Sequence, residues 1–247
     1  MGDEKERVIR QFNDTSDGYL ASSVHAKGKD LRWIEEVVRR ERRAKALDVA
    51  TGAGHTALLL SQSVDEVVAF DITPNMLRLA ESQANKNGIS NMSFVLGDVE
   101  KLPFSNETYD VVTCRIAAHH FPNLQKAIEE MYRVLSKNGI LIIVDNYIPE
   151  ASGKDDFINT IERLRDPSHN ECVTLSKWKE LFIERKFTNI MCYQTWTSSM
   201  DLNEWVSRAK PPKENRAKIY DLIEKENLNW IDKHQVHLQK VMWVCTK

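Results

Sequence analysis

The stretch Lys45–Asp71, KALDVATGAGHTALLLSQSVDEVVAFD, decides the fold of this chain. Short apolar runs stand near both of its ends, and between them a turn of small residues leads into a helical pattern. The apolar runs Lys45–Val49 and Val67–Phe70 read as strands, and Asp71 directly follows the second. This order predicts one βαβ unit with a ligand site at the carboxyl edge of its two parallel strands.

The turn of this unit has the chemistry of an anion-binding loop. Gly52 and Gly54 lack a Cβ and let the backbone approach a ligand closely, and the amides of the following helix favour an anionic group there. Asp71 is placed to accept hydrogen bonds from a ribose diol. Glycines in such a turn could instead serve close packing of the helix on the sheet, and Ala57 stands where the fingerprint Gly-x-Gly-x-x-Gly requires glycine. The turn alone therefore does not choose a cofactor.

The composition limits the classes of protein to which this chain can belong. The 247 residues, 42% of them hydrophobic, can bury one large core. The 34 basic and 36 acidic residues give a net charge of −2, which offers no electrostatic footprint for nucleic acid. Four widely spaced cysteines without a C-x-x-C pair predict neither a zinc site nor a disulfide framework and favour a cytoplasmic setting. The first thirty residues lack the apolar core of a signal peptide, and no run approaches the roughly 20 apolar residues of a membrane span.

Strand patterns recur after the opening unit. They lie at Met92–Leu96, Tyr109–Cys114, Ile140–Val144, Thr188–Tyr193 and Gln239–Thr246, with helical patterns between them. This alternation predicts an α/β fold with a doubly wound, seven-stranded, mainly parallel sheet of the Rossmann-like type. The last strand follows helices rather than a tight turn, so we expect it to enter antiparallel, between the fifth and sixth strands.

Several helix ends carry capping signals. Thr73 followed by Pro74 predicts a helix start, and Asp30 and Ser176 are predicted to cap two other helices. A long amphipathic helix after Pro122 is predicted to stop at the Asn138-Gly139 pair.

The chain is predicted to form a single domain with four parts. Residues 1–43 form an N-terminal flap and helix, residues 44–149 the cofactor-binding core, and residues 150–186 a helical lid. Residues 187–247 supply the C-terminal strands with a helical insertion.

Five motifs in order carry a resemblance to a known family. They are LDVATGAGHTA (47–57), AFDITPNML (69–77), GDVEKLPF (97–104), YDVVTCRIAAHHFPN (109–123) and MYRVLSKNGILIIVD (131–145). Over roughly Leu47–Pro149 the sequence resembles class I S-adenosylmethionine-dependent methyltransferases, and within them the UbiE-like, or type 11, group. Two departures are Ala50, where the family usually has its first glycine, and His55. The alanine is a mild change provided that its φ is negative.

The resemblance implies S-adenosylmethionine as cofactor. It assigns cofactor contacts to Ala50, Gly52, Gly54, Asp71, Ile72, Met76, Asp98, Val99 and Arg115. The turn amides would receive the methionine carboxylate, and Asp71 the ribose diol. The adenine would lie between Ile72 and Met76, with Asp98 accepting from its amine and the Val99 amide reaching a ring nitrogen. Arg115 would border the methionine moiety.

The residues that would face the methyl acceptor follow the fourth and fifth strands. His119 and His120 are candidate general bases, because a neutral imidazole can take a proton near neutral pH, although the pair could equally shape the pocket or cap a helix. Asp145 and Tyr147, with His120, are candidate substrate-pocket residues. A fourth candidate, His25, could close on a ligand or lie in a solvated loop. No spaced ligand set predicts a metal site.

The sequence thus predicts an S-adenosylmethionine-dependent methyltransferase with a small-molecule acceptor. The segment CRIAAHHF and the roughly 100 residues after Pro149 depart from the quinone methyltransferases of the group, which argues against a quinone. Two alternatives stay open: a nicotinamide-dependent oxidoreductase on a similar sheet, and a non-catalytic module that binds S-adenosylmethionine. The oligomeric state is not indicated.

Overall fold

The computed structural model describes residues 2–21, 28–40, 43–150, 155–225, 231 and 234–247. Its helices are α1 (Asp3–Ala21), α2 (Asp30–Arg39), α3 (His55–Leu60), α4 (Pro74–Lys86), α5 (Leu124–Val134), α6 (Asp155–Arg165), α7 (Leu175–Glu184), α8 (Leu202–Arg208) and α9 (Lys213–Lys225). Its strands are β1 (Lys45–Val49), β2 (Glu66–Asp71), β3 (Met92–Leu96), β4 (Tyr109–Arg115), β5 (Leu135–Asn146), β6 (Thr188–Asp201) and β7 (Gln235–Thr246). Short 3-10 turns lie at Val99–Lys101 and Ala118–His120.

Within these ranges the seven strands form one sheet in the order β3-β2-β1-β4-β5-β7-β6. Parallel pairing joins β1 to both β2 and β4, β2 to β3, and β4 to β5. β7 lies between β5 and β6 and is antiparallel to both. The predicted α/β class, the seven-stranded sheet and the antiparallel insertion of the last strand are therefore confirmed.

Apolar side chains cover both faces of the sheet. On one face, Met131 of α5 and Phe182 of α7 pack with Trp243 of β7 in one cluster. On the other, Ile34 of α2 and Leu60 of α3 belong to a second cluster. Complete burial of a side chain of this size stabilises the fold by about 1.5–3 kcal/mol. Helices on both faces explain why the inner strands are almost continuously apolar.

The junction of α5 and β5 differs from the prediction. The helix ends at Val134 instead of running to the Asn138-Gly139 pair, and β5 begins at Leu135. Leu135 is fully buried and pairs with Tyr109, after which the register shifts so that Val111 pairs with Ile140. Asn138 has a φ of +62°. The Asn-Gly pair therefore belongs to an irregularity within the strand and does not stop the helix.

Two predicted helix caps were wrong. Lys29 occupies the N-cap position of α2, and the Asp30 carboxylate forms an ion pair with Arg115. Thr174 caps α7 by accepting from the Lys177 amide at 3.3 Å, while the Ser176 hydroxyl donates to Glu150 at 2.9 Å. In both cases a partner distant in sequence decides the role of the side chain. The predicted Thr73-Pro74 start of α4 is confirmed.

The segment predicted as a lid divides into two parts. α7 packs against the sheet as one of its covering helices. Its Trp178, Leu181 and Phe182 are buried in the cluster that contains Trp243, hereafter the main cluster. α6 instead joins α8 and the outer ends of β6 and β7 in a separate cluster that contains Ile161 and Trp205. β6 continues to Asp201, beyond its predicted end at Tyr193. The boundaries of the four predicted parts stay predictions.

Among the helices of the described ranges, none is both long enough and apolar enough to span a bilayer.

The turn after β1 contains an alanine in an unfavourable backbone region. Ala50 has a φ of +53°, as does Gly52, and Gly54 has a φ of +86°. The condition under which alanine would be a mild replacement for the family's glycine is therefore not met. A left-handed conformation costs an L-residue roughly 1–2 kcal/mol.

We expect Ala50→Gly to raise the free energy of unfolding by about 0.5–1 kcal/mol. Relief of the left-handed strain exceeds the roughly 0.4–1 kcal/mol that glycine loses through its greater freedom in the unfolded chain. Denaturant unfolding measures the change. Ala53→Gly is the matched control, because Ala53 lies in the same turn and does not have a positive φ, so it should lose stability. A loss of stability in both variants would contradict the strain at Ala50.

Candidate functional site

A cavity opens where β1, β2, β3 and β4 end. Its empty volume is about 1030 Å³, including space open to solvent. Eight of the nine residues predicted to contact a cofactor line this first cavity: Ala50, Gly52, Asp71, Ile72, Met76, Asp98, Val99 and Arg115. A site at the carboxyl edge of a parallel sheet is typical of doubly wound folds.

Asp71 joins the end of β2 to the turn after β1. One carboxylate oxygen accepts from the Gly52 amide at 2.9 Å, and the other accepts from the Thr73 amide at 2.8 Å. Burial raises the pKa of this carboxyl, and the two amides oppose the shift. Each oxygen retains further acceptor capacity, so the carboxylate is rigidly held beside the cavity and can still accept from a diol.

The two glycines of the turn have different surroundings. A Cβ on Gly54 would lie 2.8 Å from the Cβ of Ala80 in α4, whereas one on Gly52 would meet nothing within 4 Å. Gly54 is not among the residues that line the first cavity. Close helix packing, the alternative function of such glycines, therefore applies to Gly54, while Gly52 leaves open space beside the cavity.

Asp48 was not assigned a role from the sequence, yet it lies on the wall of the first cavity. Its two carboxylate oxygens accept from the hydroxyls of Thr51 and Thr113, each at 2.6 Å. Burial raises the pKa of this carboxyl to about 6, although both hydroxyls oppose the shift. A charged residue inside an apolar strand was the available signal, because a buried carboxylate is costly unless it has partners.

Helix α1 covers the opposite side of the first cavity. Its Lys5, Val8 and Phe12 line the space, and the Lys5 ammonium lies 2.6 Å from Asp98 and 2.5 Å from Glu100. Asp98 also accepts from the Glu100 amide at 2.9 Å. Asp98, which is predicted to accept from the adenine amine, thus also anchors helix α1. Its ion pair with Lys5 joins residues that are 93 positions apart in sequence.

Arg115 lines the first cavity from the end of β4. Its guanidinium forms an ion pair with Asp30 of α2, and both side chains are about 5% exposed. The ion pair fixes the orientation of the Arg115 guanidinium beside the cavity.

The two adjacent histidines have opposite environments. The Nδ1 of His119 lies 2.6 Å from Asp145, whose other oxygen accepts the His119 backbone amide at 3.1 Å. Burial lowers the pKa of His119, but the Asp145 carboxylate outweighs it and the net shift is upward. Burial tends to raise the pKa of Asp145, but His119 reverses that shift. His119 and Asp145 therefore form a buried pair.

His120 is held as a neutral ring. Its Nδ1 lies 3.0 Å from the Ser168 carbonyl oxygen, so this nitrogen carries the proton and donates. Burial and the neighbouring His119 lower the pKa of His120 to about 4. The ring contacts Phe12 edge-on at 4.9 Å between centroids. With Nδ1 as the donor, Nε2 carries the unprotonated lone pair.

A second cavity adjoins the first. It lies between α6, α8, β6 and β7, has an empty volume of about 630 Å³ including open space, and shares Phe12, Ile116 and His120 with the first cavity. His119 faces this second cavity. His120 is therefore the candidate base that borders both cavities.

The remaining candidates lie elsewhere. Neither Asp145 nor Tyr147 lines the first or the second cavity; Asp145 is buried behind His119, and Tyr147 packs against the main cluster. The assignment of these two residues to the substrate pocket stays a prediction. His25 falls outside the described residues. Among the residues that are described, no three His, Cys, Asp or Glu side chains are grouped to hold a metal ion.

Comparison with known proteins identifies the family. A family model described as a methyltransferase domain matches residues 40–208. The uncharacterised methyltransferase YcgJ of Bacillus subtilis is 36% identical over 211 residues, which cover 84% of this chain and 82% of YcgJ. The demethylmenaquinone methyltransferase of Geobacillus kaustophilus is 30% identical over 157 residues, covering 61% of this chain and 67% of that protein. The chain belongs to the methyltransferase-domain family.

Solved structures agree with the fold. The crystal structure of Bacillus subtilis YcgJ matches with a TM-score of 0.83 at 31% identity, covering 88% of this chain and 97% of that one. The phosphoethanolamine N-methyltransferase 2 of Haemonchus contortus, solved with S-adenosylhomocysteine, has a TM-score of 0.71 at 17% identity and covers all of this chain and 61% of that one. The predicted membership of the class I, S-adenosylmethionine-dependent methyltransferases is confirmed.

We expect Asp71→Ala to weaken binding of S-adenosylhomocysteine by about 1–3 kcal/mol. The substitution leaves a buried ribose diol and two backbone amides without their acceptor, and each unsatisfied group costs free energy. Isothermal calorimetry measures the affinity.

Asp110→Ala is the matched control for this variant. Asp110 also accepts from two backbone amides, those of Ala44 at 2.9 Å and Lys45 at 3.1 Å, but it lies at the amino ends of β1 and β4. It should lower stability without changing the affinity. An equal loss of affinity in both variants would mean that Asp71 acts only through the fold.

Proposed function

We propose that this methyltransferase transfers a methyl group from S-adenosylmethionine to a small-molecule acceptor that binds in the second cavity. The observation that carries the proposal is the meeting of two cavities at His120. The first has the groups that an adenosyl amino acid requires, and the second offers enclosed space directly beside it.

Residues of the first cavity fit the parts of the cofactor. The Gly52 and Ala50 backbone suits the carboxylate, with Gly54 beginning the helix behind them. The ionised form of Asp48 suits the ammonium group, and Asp71 suits the ribose diol. Ile72 and Met76 suit the two faces of the adenine, with Asp98 and the Val99 amide at its polar edge. Arg115 is expected beside the methionine moiety.

The bound cofactor supplies an electrophilic methyl carbon: the acceptor's lone pair forms the new bond while the electrons of the broken carbon–sulfur bond stay on sulfur. Because this leaving group needs no acid, the chain's contribution is alignment of the reactants and exclusion of water. Phe12 of α1 covers the meeting point of the cavities. His120, neutral at physiological pH, can hold the acceptor through Nε2 and receive its proton if the acceptor must lose one.

The proposed function has two rivals. The first is a nicotinamide-dependent oxidoreductase, and the second is a non-catalytic module that binds the cofactor. The first rival is disfavoured because Ala57, a buried residue of α3, stands where the dinucleotide fingerprint requires its third glycine. The demethylmenaquinone methyltransferases among the relatives act on a quinone, but the departures after Pro149 support another acceptor. The four-part division of the domain and the cytoplasmic setting remain predictions.

Two measurements test the proposal. Calorimetric titration should give tight binding of S-adenosylhomocysteine and none of NAD; the reverse result would overturn the proposal. A screen of phenols, quinols, amines and thiols with a methyl-labelled donor should then find an acceptor. Firm binding of the cofactor with no transfer to any acceptor would favour the non-catalytic module.

We expect His120→Ala to lower the turnover rate by about tenfold or more while changing the affinity for S-adenosylhomocysteine by less than about threefold. The ring borders the acceptor side of the meeting point, so its loss misaligns the acceptor more than the cofactor. Steady-state kinetics and calorimetry give the two quantities.

The matched control is His169→Ala. His169 is equally buried and hydrogen-bonds Asn159 at 2.9 Å, but it lines neither cavity. It should lower stability and leave the turnover rate of the folded enzyme nearly unchanged. Equal losses of turnover and affinity in His120→Ala would instead indicate a packing role.

A further inference from the structure

The walls of the second cavity are polar and carry several charges. The space is lined by Glu162 and Arg165 of α6, Asp166 after it, Arg208 of α8, Asn146 at the end of β5 and Lys240 in the middle of β7. Such a lining is costly to bury unless each charge has a partner, either in the protein or in a ligand. The partners of these groups therefore indicate what the cavity can hold.

Lys240 is a buried cation on the wall of this cavity. The residue is only 4% exposed. It shares a strand face with Leu238, two residues earlier on β7, and Leu238 also lines the second cavity. Within the part of the chain that the structure describes, the Lys240 ammonium has no hydrogen bond or ion pair. A lysine this deeply buried whose ammonium has no direct partner is rare in folded proteins.

An unsatisfied acceptor lies beside this cation. Asn146 stands directly opposite Lys240 in the antiparallel ladder of β5 and β7, so both side chains are on the same face. The side-chain oxygen of Asn146 is buried and, among the described residues, has no hydrogen-bond donor. A cation without a direct protein partner and a residue with an unsatisfied acceptor thus line one polar cavity.

The acidic groups around Lys240 are already engaged. Glu162 pairs with Arg165 at 2.7 Å, and Asp166 accepts from the Ser168 amide at 2.9 Å and hydroxyl at 2.5 Å. On the far side, Asp145 pairs with His119.

Burial is the main influence on the Lys240 ammonium. It lowers the pKa of Lys240 to about 8, and Arg115 and Arg208 contribute to that shift, while Asp145 and Asp30 oppose it. An anion bound beside the ammonium would favour its charged form.

We propose that the second cavity binds the methyl acceptor through an anionic group, a carboxylate or a phosphate monoester, which pairs with the Lys240 ammonium. A hydrogen-bond donor on the same molecule meets the Asn146 oxygen. This inference rests on the proposed function and narrows its substrate class. A polar cavity with buried charges is a poor site for the long apolar tail of a lipid-soluble quinone.

The Lys240 ammonium is itself the readout for the first test. The full chain is produced with lysine that is labelled with 13C at Cε, and the protein is saturated with S-adenosylhomocysteine. The Lys240 signal is assigned by its absence in Lys240→Arg. Inorganic phosphate and benzoate are the probes, with choline chloride at equal ionic strength as the control. Each anion should raise the pKa of Lys240 by about one unit or more in a saturable manner, because a paired anion favours the charged amine. The stronger response distinguishes phosphate from carboxylate.

Calorimetry of the same complex gives the second test. Lys240→Met should weaken binding of the responding anion at least tenfold, and Lys240→Arg should keep it within about threefold because the positive charge remains. Lys179→Met, an exposed lysine of α7, is the matched control and should change nothing. The inference is overturned if neither anion shifts the Lys240 signal, or if Lys240→Met binds the anion as tightly as the unmodified protein. Loss of S-adenosylhomocysteine binding in the unmodified protein would instead overturn the proposed function.

Discussion

The hydrogen bonds of Asp71 are the constraint on which the site depends. By accepting from Gly52 and Thr73, this carboxylate fastens the turn after β1 to the beginning of α4. The turn is thereby held in a left-handed path that includes an alanine, Ala50, despite the strain. Strain of this kind persists only where surrounding interactions over-determine the conformation. The first cavity exists because β2 and its acidic terminus hold the glycine turn open.

Two histidines next to each other in sequence have opposite environments where the two cavities meet. His119 is tied to Asp145, whose carboxylate raises the pKa of the ring. His120 is tied to a carbonyl oxygen and stays neutral. Neighbouring titratable groups with opposite pKa shifts are a common feature of functional sites. Here the neutral ring is the one that borders both cavities, while the pair of His119 and Asp145 lies next to it.

The elements of the fold were predictable because their signals are local. Apolar runs, the Thr73-Pro74 start and the alternation of strands with helices each involve only neighbouring residues. The two helix caps that were wrong, and several contacts that were not foreseen, concern side chains whose partners are distant in sequence. Asp30 pairs with Arg115, and Lys5 with Asp98, across 85 and 93 positions. No pattern within a short window distinguishes such a pair from an ordinary helix cap or a solvated charge. The φ of Ala50 and the burial of Lys240 likewise depend on the assembled sheet.

Because β7 is inserted between β5 and β6, we expect the two halves of the sheet to form at different times during folding. β1 to β5 pair through connections of moderate length, whereas Ile140 of β5 must find Thr246 more than a hundred residues later. Closing so long a loop is entropically expensive and slow. Until it closes, β5 and β6 each present an unpaired backbone edge, which is a template for association with other chains. We therefore expect a partly folded species in which the half of the sheet beside the first cavity is formed while the half beside the second cavity is still open, and this species would be the one most prone to association with other chains.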